Sequence, residues 1–455
     1  MNNGVKEIIE FELSKDYRDR FQQALDEKDA TFIQKSLGEV NPADITTLLY
    51  EFTNVESKYV LDILPLETRA EIINGLDSDT RIRFIRVYTP EEISAVINHL
   101  ASDDAADILN ELPVRESEEV LARLDPELKA QVVDLLRYDE HLAGGLMAKE
   151  LIKARESWTV VQCVEEIRKQ AENVSTFYAV WVVDDQDKLL GKVALQKLIL
   201  SDPRTLVKDI YEAEVVSVET YMEDREVAEV MKKYDLESVP VVNVQGHLVG
   251  RITIDDVVDV ITEQAEEDRQ AMAGITEDIE EDDSVWRNTR ARLPWLLVGI
   301  LGGVLSARFM GIFQLEIERI AAIAFFIPLI QATGGNVGIQ SSSLVVQSLA
   351  NPGFVEEGLW PRLQKVFLVA LLNGLVLSTV VFGATGLIFG FDRLTIVVAI
   401  ALFCVILFAS LIGTITPLIL NRLGFNPALA SGPFITTTND LMGLTLYFLT
   451  IHILL

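Results

Sequence analysis

The sequence predicts a multidomain protein: an all-α, solenoid-like N domain, a tandem α/β pair, an acidic connecting helix and an all-α transmembrane domain of five helices. Three observations predict this. Charge is partitioned, with 30 Lys/Arg and 63 Asp/Glu before Ser284 (net −33) and nine Lys/Arg and six Asp/Glu from Ser284 onward (net +3). Residues 20–137 repeat one unit, a polar cap and acids followed by an apolar helical stripe. Apolar stretches near 294–313, 320–349, 364–391, 394–420 and 427–455 are each long enough to cross ~30 Å of hydrocarbon as helix.

The boundaries expected are 1–140, 141–262, 263–283 and 284–455. The start, "MNNGVKEIIEFELSKD", has no basic segment followed by an apolar one, so no cleaved signal is expected. Cys163 and Cys404 are two lone cysteines in different halves, which supports neither a disulfide framework nor a zinc site. Both features fit a reducing, cytosolic place for the acidic half. Such a half repels nucleic acid and attracts cations, and no basic stripe offsets it.

In the first domain the repeats are "NPADITTLLYEF", "LPLETRAEIINGL", "TPEEISAVINHL", "SDDAADILNEL" and "DPELKAQVVDLL". Asn41, Thr89 and Asp125 are candidate N-caps, and the proline after each suits a first helical position. Spacings near 12 and 24 residues predict stacked short helices. In the second domain, "YAVWVVDDQDKLLGKVAL" and "SVPVVNVQGHLVGRITIDDVVDVI" are two copies of strand, turn, glycine, strand and helix. Residues 255–283 then hold 13 Asp/Glu against one Arg. Their first part continues the helix, and "EDIEEDD" is expected to be a turn or loop.

Basic flanks orient the spans. Arg287, Arg290 and Arg292 precede the first, Arg362 and Lys365 the third, and Arg422 the fifth. The opposite loops carry Arg319 and Arg393 among Glu316, Glu318 and Asp392. Five spans then place the N-terminus inside and the C-terminus outside.

Beyond Arg422 the single formally charged side chain is Asp440, inside "PFITTTNDLMGLTLYFLTIHILL". A carboxylate in hydrocarbon costs at least ~3 kcal/mol. Thr436 lies one turn before it on the same face. Pairing with Arg308 is the structural alternative. Aspartyl catalysis needs two carboxylates, and no second acid lies in a span; Gly-x-Gly-Asp and His-Glu-x-x-His are absent, the histidines being His99, His141, His247 and His452. No enzyme chemistry is expected. Carboxylate, Thr, Ser and Asn oxygens suit a hard cation. One carboxylate cannot strip the water from Mg²⁺, so two chains about one axis would suit a hydrated divalent ion.

The second span, "PLIQATGGNVGIQSSSLVVQSLA", is dense in Gly, Asn, Gln and Ser. These residues serve either as packing between helices or as a polar pore wall, for which Asn336, Gly338, Gln340 and Ser343 are candidates together with Gly432 and Thr436. On the connector, Asp256, Asp259, Glu263, Glu266 and Glu267 recur at three- and four-residue steps. That spacing marks either a solvated face or a divalent-ion sensor. Asp103 and Asp107 share a face in "SDDAADIL" and could complete an oxygen ligand set. In "GRITIDD", Thr253 and Asp256 form a Thr-x-x-Asp pair able to hold a ribose, which the first copy lacks, so ATP or AMP is a candidate ligand at the second copy.

Together these residues resemble the MgtE family of bacterial magnesium channels, over nearly the whole chain. The specific parts are "GGNVGIQSS" and "NPALASGPFITTTNDLMG"; the paired CBS domains alone occur in many proteins. The resemblance implies a homodimer in the lipid bilayer of the bacterial inner membrane, with a pore between the chains. It implies that Asp440 is the pore aspartate and that Thr436 offers a backbone carbonyl nearby. It further implies that Asp103, Asp107, Asp235, Asp256, Asp259, Glu267 and Asp268 bind regulatory Mg²⁺. Gln264 stands where some members carry an acid, flanked by Glu263 and Glu266, and Ile339 and Asn426 replace an Asn and an acid. The activity implied is Mg²⁺ uptake closed by cytosolic Mg²⁺. A carrier of Mn²⁺ or Co²⁺, or a CBS-regulated membrane enzyme, is the alternative.

Overall fold

The computed structural model describes residues 15–38, 40–170, 178–276, 279, 284–349, 359–430 and 432–455. The chain divides into two compact units, Met1–Ile261 and Thr262–Leu455.

The first unit opens with a stack of short helices: α1 (Lys15–Asp26), α2 (Ala30–Leu37), α3 (Pro42–Leu49), α4 (Asn54–Ile63), α5 (Leu66–Asn74), α6 (Ser78–Ile85), α7 (Pro90–Ile97), α8 (Ser102–Glu111), α9 (Val114–Leu121) and α10 (Pro126–Leu135). Helices pack on the second helix along, α3 on α5, α5 on α7, α7 on α9 and α8 on α10, as a solenoid requires. Asn41 caps α3 by accepting from the Ala43 N–H, and Thr89 with Glu92 forms a reciprocal capping box on α7. Asp125 departs from expectation. Its side chain caps nothing; its own N–H instead donates to Asn98 Oδ1 at 3.0 Å, so a neighbouring helix end holds this start.

The two α/β copies have the same topology. In the first, after α11 (Ala143–Leu146), β1 (Lys153–Arg155) runs parallel to β2 (Val180–Val183), which pairs antiparallel with β3 (Leu189–Val193); α12 (Val160–Gln170) and α13 (Leu195–Leu200) flank them. The second repeats this with β4 (Val218–Glu219), α14 (Asp224–Tyr234), β5 (Ser238–Val242) and β6 (Leu248–Thr253). The two hairpin turns meet: Leu189 N–H donates to the Gly246 carbonyl and Leu248 N–H to that of Asp187. Asp187 (φ 60°) and Gly246 (φ 81°) supply the left-handed residues these turns need. One apolar core runs from Phe21 in α1 to Val260, joining the solenoid to the second copy. Acidic helix α15 (Ile254–Ala273) follows β6 directly.

The second unit holds α16 (Val285–Ile312), α17 (Gln314–Arg319), α18 (Ile327–Leu349), α19 (Leu359–Phe389), α20 (Arg393–Arg422) and α21 (Pro433–Leu454). Four segments, Val285–Ile312, Ala321–Leu349, Trp360–Phe389 and Arg393–Arg422, are long and apolar enough to cross a membrane. Helix α21 is more polar, carrying Thr436, Asn439 and Asp440, yet it buries Ile435, Leu444, Tyr447 and Phe448. Small residues bring these helices together. A Cβ on Gly302 would run into Thr437 Cγ2, and one on Gly413 would stand 2.5 Å from the Gly338 carbonyl oxygen.

Candidate functional site

Gly432 (φ 60°, ψ −128°) precedes Pro433, and this backbone is open essentially to glycine. Thr436 Oγ1 donates to the Gly432 carbonyl at 2.9 Å within the first turn. Thr436 and Asp440 then face one glycine of α18. A Cβ on Gly335 would lie 3.6 Å from Thr436 Cγ2 and 4.0 Å from Asp440 Oδ1, so its absence leaves room beside the carboxylate. Among the described residues Asp440 has no hydrogen-bond or ion-pair partner, and Arg308 does not pair with it. Next to it, Asn439 is 2 % exposed and both its amide atoms are unpartnered among the described residues.

The other wall candidates divide. Asn336 and Gln340 are exposed on this chain and Ser343 is half-buried. Gly338 is buried against Asn439 and Ile435, and Gly432 faces the Met272 carbonyl, whose oxygen a Cβ would strike. Close packing accounts for these two glycines.

A second group of acids forms within the first unit. Asp103 opens α8, where Oδ1 accepts the Asp104 N–H at 3.0 Å. Burial and the charges of Asp104, Asp256 and Glu150 push its carboxyl well up. Asp104 is lifted by burial, although Asn74 and Arg81 oppose the shift. Asp107 stands at the rim with an accessible surface, but the protein crowding it, with Asp104 and Glu111, lifts it to about 7. Asp256 is raised to about 6, burial outweighing its hydrogen bonds from Thr253. Asp259 rises through burial and Asp255. Glu150 is held in place by Ser102, whose Oγ donates to Oε2 at 2.8 Å while accepting the Lys149 N–H.

A guanidinium offsets these acids. Arg81 on α6 forks onto Glu111, Nε at 3.1 and 3.0 Å and Nη2 at 2.6 Å, and its charge lowers Asp104, Asp107 and Asp259. Sequence reasoning placed Asp103, Asp107, Asp256 and Asp259 here and missed Asp104, Glu150, Asp255 and Arg81. Asp104 and Asp255 each neighbour a residue it chose; Glu150 and Arg81 carry no periodic signal. Asp235 takes another part. It is the exposed left-handed residue (φ 53°) that ends α14, its N–H donating to the Met231 carbonyl. Among the described residues no three His, Cys, Asp or Glu side chains stand as a ready coordination shell. The group is a pool of like charge whose oxygens suit a hard cation.

Thr253 and Asp256 have a local role as well. Asp256 Oδ2 accepts both the Thr253 N–H (2.9 Å) and Oγ1–H (2.8 Å), contacts that tie the start of α15 to the end of β6.

Further along α15 the acids are matched by donors. Glu266 accepts from Arg269 Nε at 2.9 Å and Nη2 at 2.5 Å, which holds its carboxyl below the usual range. Asp268 Oδ1 accepts from Asn426 Nδ2 at 3.0 Å. Glu263 and Glu267 share this helix. Of the "EDIEEDD" loop only Ile279 lies within the described residues; it is buried and its N–H donates to Gln270 Oε1.

A polar unit with paired α/β copies and an acid pool, followed by long apolar helices with one carboxylate among them, fits a multi-pass membrane transport protein. Residues 40–141 match the MgtE intracellular N domain, 143–201 and 207–263 the CBS domain, and 327–450 the family described as MgtE, divalent cation transporter. The chain is 34% identical over 448 residues to the magnesium transporter MgtE of Thermus thermophilus, covering 95% of this chain and 97% of that one. It is 27% identical to the protein of that name from Bacillus subtilis, over 90% and 91% of the two chains. The chain belongs to the MgtE family. A crystal structure of the cytosolic domain of the Mg²⁺ channel MgtE in complex with ATP is similar too, with 35% identity and a TM-score of 0.50, covering 52% of this chain and 98% of that one.

Proposed function

We propose that this chain is a Mg²⁺-selective channel for magnesium uptake, closed when cytosolic Mg²⁺ occupies its acidic cluster. The observation that carries the reading is Asp440, a carboxylate among membrane helices with no partner among the described residues of its own chain. A charge so placed needs a counterion. The relatives named as magnesium transporters support Mg²⁺ as that ion. In a homodimer, two Asp440 side chains would face one axial pore and hold a hydrated ion through its water, in keeping with the reluctance of Mg²⁺ to dehydrate. The basic flanks of the spans support an inner-membrane protein with the N-terminus cytoplasmic and the C-terminus outside.

Closure follows from differential affinity. At low Mg²⁺ the acids of Asp103, Asp104, Asp107 and Asp256 repel one another. A divalent ion between α8 and α15 favours the arrangement that brings them together. An ion with equal affinity for open and closed states would shift nothing. ATP or AMP would occupy the second CBS copy near Thr253 and Asp256, a reading supported by the ATP-bound relative.

The test is flux through purified protein in proteoliposomes, with Mg²⁺ varied on each side. Asp440→Ala should abolish Mg²⁺ uptake while insertion and oligomeric state are kept. Normal uptake by correctly inserted Asp440→Ala protein removes the proposal, and faster Mn²⁺ or Co²⁺ flux in the wild type moves it to another hard ion.

A further inference from the structure

Where acidic helix α15 ends, it is bolted to the start of α21. Asn426 Oδ1 accepts the Ala428 N–H at 2.8 Å, which fixes which edge of the amide is the donor. The free edge, Nδ2, donates to Asp268 Oδ1. Two left-handed glycines allow the backbones to meet at this point. A Cβ on Gly432 would meet the Met272 carbonyl, and one on Gly274 (φ 80°) would lie 2.6 Å from Pro433 Cγ. Ala271, Val346 and Ala428 are buried together here, with Met272 and Leu429 packed against them. Thr276 Oγ1 donates to the Ala291 carbonyl at 2.9 Å, which ties the same segment to α16.

We infer that Asn426 is a positioning residue for α21, holding the end of α15 against the start of the pore helix through a latch that needs no metal ion. A neutral amide facing a carboxylate is a complete charge-assisted pair, whereas two facing carboxylates would need a cation between them. The end of α15 and the first turn of α21 therefore move as one body whether or not Mg²⁺ is present. Asp440 lies eight residues beyond Gly432, so any tilt of this body reaches it along about 12 Å of helix. The latch is independent of which ion is carried.

The test uses the full chain in bilayers, with Cys163→Ala and Cys404→Ala, and reads intramolecular cross-linking between Met272→Cys and Leu429→Cys. With Asn426 and Asp268 intact, the yield should be the same in EDTA and in excess Mg²⁺. Asn426→Asp should lower the yield in EDTA by about tenfold, the loss of one charged hydrogen bond, and Mg²⁺ should restore it. The exchanged pair, Asp268→Asn with Asn426→Asp, should recover ion-independent cross-linking, since an amide on α15 then donates to a carboxylate before α21. A packing role alone would produce neither the new ion dependence nor its rescue. The inference is overturned if the parent cross-link collapses in EDTA, or if Asn426→Asp cross-links normally there. It is equally overturned if neither Mg²⁺ nor the exchange restores the yield. Loss of transport with an intact latch would count against the channel reading and leave this one standing.

Discussion

Two sets of acids on this protein look alike in sequence and differ in what they face. Asp103, Asp104, Asp107 and Asp256 face one another, with Arg81 offsetting them in part, and burial adds to the cost of their charge. Glu266 and Asp268, about two turns or more beyond Asp259 on the same helix α15, face Arg269 and Asn426. The lesson is that acid density on a helix does not identify an ion site. Carboxylates crowded by other carboxylates are poised to respond to a cation, whereas carboxylates matched to a cationic or amide donor hold structure.

The largest expected effect falls on the first set. Asp103→Asn, Asp107→Asn and Asp256→Asn together should abolish Mg²⁺-dependent protection of the α8–α15 region from protease and leave flux open at high Mg²⁺. Removing repulsion alone would favour closure at every Mg²⁺ level. Lost bridging should dominate, because salt already screens bare repulsion over ~8–10 Å. A triple variant protected at the same Mg²⁺ concentration as wild type would erase the contrast between the two sets.

The next effect is on pH. These carboxyls titrate higher in the folded protein than the ~3.9 of a free aspartate, Asp256 at about 6 and Asp107 at about 7. Between those limits the folded state binds more protons than the unfolded one, so stability falls as pH rises. In EDTA, the melting temperature of the metal-free protein should drop from about pH 5 to about pH 8. Mg²⁺, or the triple Asn change, should flatten that slope. A slope untouched by either would show that other groups dominate.

The smallest effect belongs to the second set. Arg269→Ala breaks an exposed, solvent-screened pair with Glu266 and should leave the Mg²⁺ midpoint of protection unchanged. A clear shift in that midpoint would place Glu266 in the responsive set after all.

Local chemistry determined much of this protein from its sequence. Proline with a capping residue set the starts of α3 and α7, strand–turn–glycine repetition marked both CBS copies, and apolar length marked the membrane helices. Asp440 stood out because a lone charge in an apolar run is visible without any fold. Only the tertiary structure decided which acids meet. Glu150 joins Asp103 because Ser102 and the Lys149 backbone seat one segment against another, while Asp268 is satisfied by Asn426, 158 residues away. Periodicity places a side chain on a face of its own helix; what lies opposite that face is set by packing between distant segments, and electrostatic roles follow from it.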